Sequence, residues 1–137
     1  MPGKAFLDAN ILVYAHDARS PSKQRKSREL IRALAASGDG VISTQVMQEF
    51  FVAVTGKLGV PALAAKGVLK TFGLFEIVQV SPPLIHEAID CSILNQLSFW
   101  DSLILAAAAA AGCATLYSED LNPGQAILGV TVQNPLA

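Results

Sequence analysis

The sequence predicts a single α/β domain built on a central, mostly parallel sheet of four to five strands flanked by helices. Three observations predict it. Short apolar runs, too brief for helices, alternate with longer segments whose apolar residues recur at helical spacing. Capping residues and glycine or proline stops separate the two kinds of segment at most junctions. The length, 137 residues, suits one domain over residues 1–137 that buries roughly two-thirds of its unfolded surface.

Ala5-Phe6-Leu7 reads as a buried parallel strand. Asp8 interrupts the apolar run, and Ile11, Leu12, Tyr14 and Ala15 resume it at helical spacing. A carboxylate is therefore offered where a first strand hands over to a first helix, at the sheet edge where open α/β folds bind ligands. The structural alternative is that Asp8 only prepares the helix start, with Asn10 as the N-cap. Ser20-Pro21-Ser22 is a turn, and Ser22 caps a helix to about Ala36 with Leu30, Ile31, Leu34 and Ala35 inward. Ser37-Gly38-Asp39-Gly40 ends it, its glycines suiting a left-handed cap.

Val41-Ile42-Ser43 is the second strand. Ser43 or Thr44 then caps a helix whose apolar stripe is Val46, Met47, Phe50, Phe51 and Val54, with Glu49 beside it. After the 56–59 break, Pro61 opens a helix to about Phe72. Glu76 to Val80 is the third strand, and Ser81-Pro82 opens a long helix with Leu84, Ile85, Ala88, Ile89 and Leu94 inward. Ser98-Phe99-Trp100-Asp101 has capping-box spacing, which gives Asp101 a structural reading, and it introduces an apolar helix from Ser102 to Ala111. Ala114 to Tyr117 is the fourth strand, followed directly by Ser118-Glu119-Asp120; Ile127 to Val132 adds an edge strand.

Hydrophobic residues make up 52% of the chain and charged ones 15%, an apolar balance that calls for surface covered by a partner or a second copy. Met1-Pro2-Gly3-Lys4 leads straight into the first strand with no signal peptide, and the apolar run from Leu103 to Tyr117 is shorter than a membrane span. Cys91 and Cys113 sit in apolar contexts and read as reduced core residues of a cytoplasmic protein. His16 meets the first helix's dipole, His86 is exposed, and neither has ligand-spaced company, which argues against zinc. The net charge of −1 gives no sign of a nucleic-acid partner by itself. Six of the ten basic residues, however, lie in one segment: Arg19, Lys23, Arg25, Lys26, Arg28 and Arg32. That basic helix face is either solvated surface or, at Lys23, Arg25, Lys26 and Arg28, a guide for RNA phosphates.

Asp8, Glu49, Asp101 and Asp120 each have a plain reading, but they share a position. Right-handed βα units put strand ends and the following helix starts on one side of the sheet. Carboxylates gathered there without Cys or His form a hard-oxygen site suited to Mg²⁺ or Mn²⁺, a cation that activates water and offsets phosphoryl charge.

Leu7-Asp8-Ala9-Asn10-Ile11-Leu12, Gln48-Glu49-Phe50, Phe99-Trp100-Asp101-Ser102-Leu103-Ile104 and Tyr117-Ser118-Glu119-Asp120-Leu121 together resemble the PIN-domain family, and within it the VapC-type toxins of toxin–antitoxin pairs. The resemblance runs along essentially the whole chain, in order. It implies a compact α/β fold and a metal-dependent ribonuclease using Mg²⁺ or Mn²⁺. Asp8, Glu49 and Asp101 match the family's three core acids and Asp120 its more variable fourth; of the adjacent Glu119 and Asp120 only one can point inward. Asn10, Ser43, Thr44 and Ser118 match polar positions that flank and orient the acids. It further implies hydrolysis of an RNA phosphodiester, a homodimer, and a cognate antitoxin whose tail covers an apolar groove and the site. Two alternatives stand beside this. One is a haloacid-dehalogenase-like phosphotransferase, for which Asn10 stands where a second acid is needed and no lysine follows the third strand. The other is a catalytically inactive PIN module that only binds RNA or a partner.

Overall fold

The computed structural model describes residues 3–137, so the Met1-Pro2 start of the expected lead-in lies outside the described residues. Among the described residues the strands are β1 (Ala5–Leu7), β2 (Gly40–Ser43), β3 (Glu76–Val78), β4 (Thr115–Tyr117), β5 (Ala126–Ile127) and β6 (Val130–Gln133). The helices are α1 (Ala9–Tyr14), α2 (Pro21–Ser37), α3 (Thr44–Gly56), α4 (Ala62–Thr71), α5 (Pro82–Asn95) and α6 (Phe99–Ala110).

The sheet order is β3-β2-β1-β4-β6-β5, with every pairing parallel except β5–β6. From β1 the chain builds outward to β2 and β3 on one side, then crosses to β4 on the other. The order therefore reverses between β1 and β4, which opens a crevice at the carboxyl ends of these two strands. Because the inner strands are covered on both faces, they read as unbroken apolar runs: Phe6, Leu7, Ile42, Leu116 and Val132 are fully buried.

The single edge strand expected over 127–132 is instead a hairpin. Leu128 and Gly129 both take positive φ, 55° and 77°, as a two-residue turn between antiparallel strands requires. β6 thereby becomes an inner strand and β5 the edge. Gly40 is required by close approach, since a Cβ there would stand 2.5 Å from the Phe75 ring.

Local expectations differ at five further points, the first being that α6 begins at Phe99 behind Ser98 rather than at Ser102. Asp8, not Asn10, is the N-cap of α1. α2 begins at Pro21 behind Ser20 rather than behind Ser22, as suits proline at a first helical position. β3 stops at Val78, because the Val80 amide leaves the ladder to donate to Thr44 Oγ1 at 3.1 Å. On α5 the inward stripe is Leu84, Ala88 and Cys91; Ile85, Ile89 and Leu94 are exposed, Leu94 by 80%. The helix rotates that way because its small residues let it lie close against the alanine-rich α6, its main packing partner. Cys91 and Cys113 are both buried and unpaired. Among the described residues, no single helix is long and apolar enough to cross a membrane.

Candidate active site

Asp8 stands at the end of the central strand β1 and is only 7% exposed. Its backbone amide continues the sheet by donating to the Tyr117 carbonyl at 3.0 Å. Its side chain is held from two directions. Oδ1 accepts the Ala9 amide at 2.8 Å, and Oδ2 accepts the Ser118 hydroxyl at 2.7 Å. Burial pushes the Asp8 carboxyl up to about 6; the Ser118 and Ala9 hydrogen bonds oppose that rise, and the charges of Glu49 and Asp120 add to it.

Asp120 reaches the same place from the loop after β4. Asn10 Nδ2 donates to Asp120 Oδ2 at 3.0 Å and, more weakly, to Asp8 Oδ2 at 3.4 Å. The neutral amide thus bridges two carboxylates that would otherwise repel. The Asp120 amide donates to Ser118 Oγ at 3.1 Å, so Ser118 serves both acids at once.

Glu49 lies on the second turn of α3 and is exposed to solvent. Gln45 Nε2 faces it at 3.5 Å and donates to the Trp100 carbonyl at 3.2 Å. Partial burial raises the Glu49 carboxyl, and the charges of Asp101 and Asp120 raise it further, against the Gln45 contact.

Asp8, Glu49 and Asp120 line one open cavity of about 900 Å³, with Gln45, Trp100 and the apolar Val13, Val52 and Leu58 on its walls. Asp101 stands in the first turn of α6, its amide capped by Ser98 Oγ at 3.1 Å. It is close enough to raise Glu49 but is not part of the cavity lining. Among the described residues, no three acidic, histidine or cysteine side chains converge tightly enough to hold a metal ion as they stand. The donor set nevertheless fits a hard divalent cation: the acids that sense one another's charge are all carboxylates, with no thiol or imidazole among them.

The remaining residues expected near the site divide. Asn10 and Ser118 bond the acids directly. Ser43 instead caps α3 by accepting the Val46 amide at 3.3 Å, and Thr44 anchors the chain after β3; neither touches an acid. On α2, Lys23 donates to Glu119 at 2.6 Å, Arg28 to the Ala15 carbonyl at 2.7 Å, and Lys26 to the Ala137 carbonyl at 3.1 Å. Arg25 faces a shallow groove with Arg28, Glu29 and Arg32. His16 packs edge-on against Phe50, and burial, with help from Arg28, lowers its pKa, the opposite of what the helix dipole alone would give.

Gln45, Tyr14 and Trp100 are site residues that sequence reasoning passed over. Gln45 had a signal, since it stands one helical turn before Glu49. Tyr14 had none, because its hydroxyl partner is distant in sequence.

The sequence matches the PIN domain over residues 5–125, and the chain belongs to the PIN-domain family. That membership leaves no place for the phosphotransferase alternative. The fold is also that of several solved structures. A toxin–antitoxin complex from Klebsiella pneumoniae matches with a TM-score of 0.72 at 20% identity, covering 96% of this chain and 98% of that one. A DNA-bound VapBC from Salmonella typhimurium matches at 0.68 and 16% identity, covering 97% and 98%. VapC20 of Mycobacterium tuberculosis, described as a sarcin–ricin loop cleaving toxin, matches at 0.65 and 20% identity, covering 85% and 90%. No curated protein matches the sequence.

Proposed function

We propose that this protein is a VapC-type toxin: a Mg²⁺- or Mn²⁺-dependent endoribonuclease that hydrolyses RNA phosphodiester bonds and is restrained by a cognate antitoxin. The observation that carries the reading is the convergence of Asp8, Glu49 and Asp120 on one cavity at the carboxyl ends of β1 and β4, with Asp101 within electrostatic reach.

Asp8, Asp101 and Asp120 would hold the cation, with Glu49 as a fourth ligand or as the group that orients the attacking water. When bound, the cation supplies charge stabilisation at the phosphoryl oxygens and a more acidic water. The chain's own contribution is positioning. Ser118 and the Ala9 amide fix the Asp8 carboxylate, Asn10 holds Asp120 beside it, and Gln45 limits the swing of Glu49.

The toxin–antitoxin assignment draws on the described partners of the Klebsiella and Salmonella proteins. It is supported by the apolar cavity wall of Val13, Val52 and Leu58 beside the acids, which suits a partner segment with apolar and basic residues. A homodimer is supported by the exposed Ile85, Ile89, Ile93 and Leu94 on α5.

The test is cleavage of end-labelled single-stranded RNA with Mn²⁺ or Mg²⁺ by the wild type and by Asp8→Asn. Metal-dependent cleavage that the variant lacks is expected. RNA or antitoxin binding without cleavage would instead mark an inactive binding module, and equal cleavage by both proteins would move the chemistry elsewhere.

A further inference from the structure

Glu119 and Asp120 are adjacent acids on one loop, yet only Asp120 faces the cavity acids through Asn10. Glu119 and Tyr14 line the same cavity, but other partners hold the Glu119 carboxylate on its α2 side. Lys23 of α2 donates to Glu119 Oε2 at 2.6 Å, and the Tyr14 hydroxyl at the end of α1 donates to Glu119 Oε1 at 2.8 Å. The ammonium also lies 4.8 Å from the centre of the Tyr14 ring and 3.4 Å from its hydroxyl. Both oxygens of Glu119 are thereby engaged on the side facing α2. The Glu119 amide is fixed as well, donating to Asn10 Oδ1 at 3.3 Å while the other end of that amide holds Asp120.

We infer that Lys23, Tyr14 and Glu119 form a latch that holds Glu119 on the α2 side of the cavity, away from Asp8, and so leaves Asp120 as the acid that joins the cluster. Lys23 is thus a positioning residue acting on the acid cluster through the loop, rather than a contact for RNA phosphates. Glu119 and Asp120 share the bend after β4, so fixing the Glu119 side chain on Lys23 and Tyr14 and its amide on Asn10 fixes the backbone from which Asp120 meets Asn10. Without the latch, two carboxylates compete for one place, and Asn10 loses the fixed backbone that orients its amide. The inference rests on the acid cluster being a cation site, but the latch itself is observable without cation or RNA.

The experiment uses ¹⁵N-labelled wild type, Lys23→Met, and the swapped pair Lys23→Glu with Glu119→Lys. The metal-free spectra report the Asn10 side-chain amide and the backbone amides of Glu119 and Asp120. Mn²⁺ titration then reports affinity. Lys23→Met is expected to move those amide signals and weaken Mn²⁺ binding about tenfold, as loss of support behind a ligand does, and the swapped pair is expected to recover both. Signals unmoved by Lys23→Met, an unchanged Mn²⁺ affinity, or a swapped pair no better than Lys23→Met overturns the latch. If no variant, wild type included, binds Mn²⁺ while the amide signals move and recover, the cation-site reading fails and the latch stands.

Discussion

The Ser118 hydroxyl donates to Asp8 Oδ2 at 2.7 Å across a sequence separation of 110 residues. The contact joins the ends of β1 and β4 at the point where the sheet order reverses. Both groups are buried, so the bond favours the ionised carboxylate in a place where burial disfavours it. A hydrogen bond to a charged group contributes about 1.5–3 kcal/mol, enough to move a titration by about one pH unit or more. Ser118→Ala is therefore expected to raise the Asp8 carboxyl above about 6. Because a cation competes with that proton, the pH at which Mn²⁺ binding is half-maximal should rise with it. Mn²⁺ titrations between pH 5 and about 8 measure this; an unmoved midpoint would mean that Ser118 has no hold on the acid.

Glu49 and Asp101 carry competing structural explanations. Asp101 sits in the first turn of α6, where a negative charge favours the helix by about 0.3–1 kcal/mol. Asp101→Asn should cost no more stability than that, yet lower the cleavage rate by orders of magnitude. Glu49→Gln should do the same, since its charge is held near Asp101 and Asp120 at an unfavourable potential. Denaturant melts and single-turnover cleavage of the same preparations separate the roles. Near-normal cleavage by Asp101→Asn would leave the residue as a helix-start acid, in keeping with its place outside the cavity lining.

The fold was legible because the central strands β1 and β2 are buried on both faces and the helices are punctuated. Ser43, Ser81 and Ser98 accept helix-start amides as their positions suggested. What failed was rotation and pairing. The facing of α5 depends on how closely alanines of α6 allow it to approach; Leu84, Ala88 and Cys91 are buried as expected, but no periodicity tells that Ile85, Ile89 and Leu94 face outward. The β5–β6 hairpin needs Leu128 at positive φ, a conformation that leucine does not advertise. At the site, the acids were readable from their places after strands and at helix starts. Their supports were not, because Tyr14, Lys23 and Glu119 meet only through tertiary structure.

The basic face of α2 is more engaged than its charge run suggests. Lys23 is committed to Glu119, and Arg28 spends its Nε–H on the Ala15 carbonyl. Arg25 and Arg32 border the groove on this face. If the face guides RNA, Arg25→Ala and Arg32→Ala should each flatten the salt dependence of RNA binding by about one charge, while Lys23→Met leaves that slope unchanged. Filter binding over a salt series, using the Asp8→Asn protein to prevent cleavage, gives the slopes. Equal slopes for all variants would return α2 to solvated surface or to partner contacts.

Asp8 makes the fold itself a reporter of the site. Its carboxyl titrates at about 6 in the folded protein against an ordinary 3.8. Between those values the folded state keeps a proton that the unfolded chain has released. The stability Asp8 contributes is therefore fully present below about pH 4 and is lost as pH rises through about 6, a difference on the order of 3 kcal/mol. Asparagine caps a helix as well as aspartate does and cannot ionise. Asp8→Asn should accordingly gain on the wild type as pH rises from 4 to about 7, and melt at or above it when no metal is present. Divalent metal reverses the order. A cation that binds the folded site at a hundredfold excess over its dissociation constant adds about 2.7 kcal/mol, and the variant, short of one ligand charge, should lose most of that gain. Thermal melts of both proteins across pH, with and without Mn²⁺, give the whole pattern. Parallel melting curves for the two proteins at every pH, with no response to Mn²⁺ in either, would reduce Asp8 to the cap of α1 and remove the cation site with it.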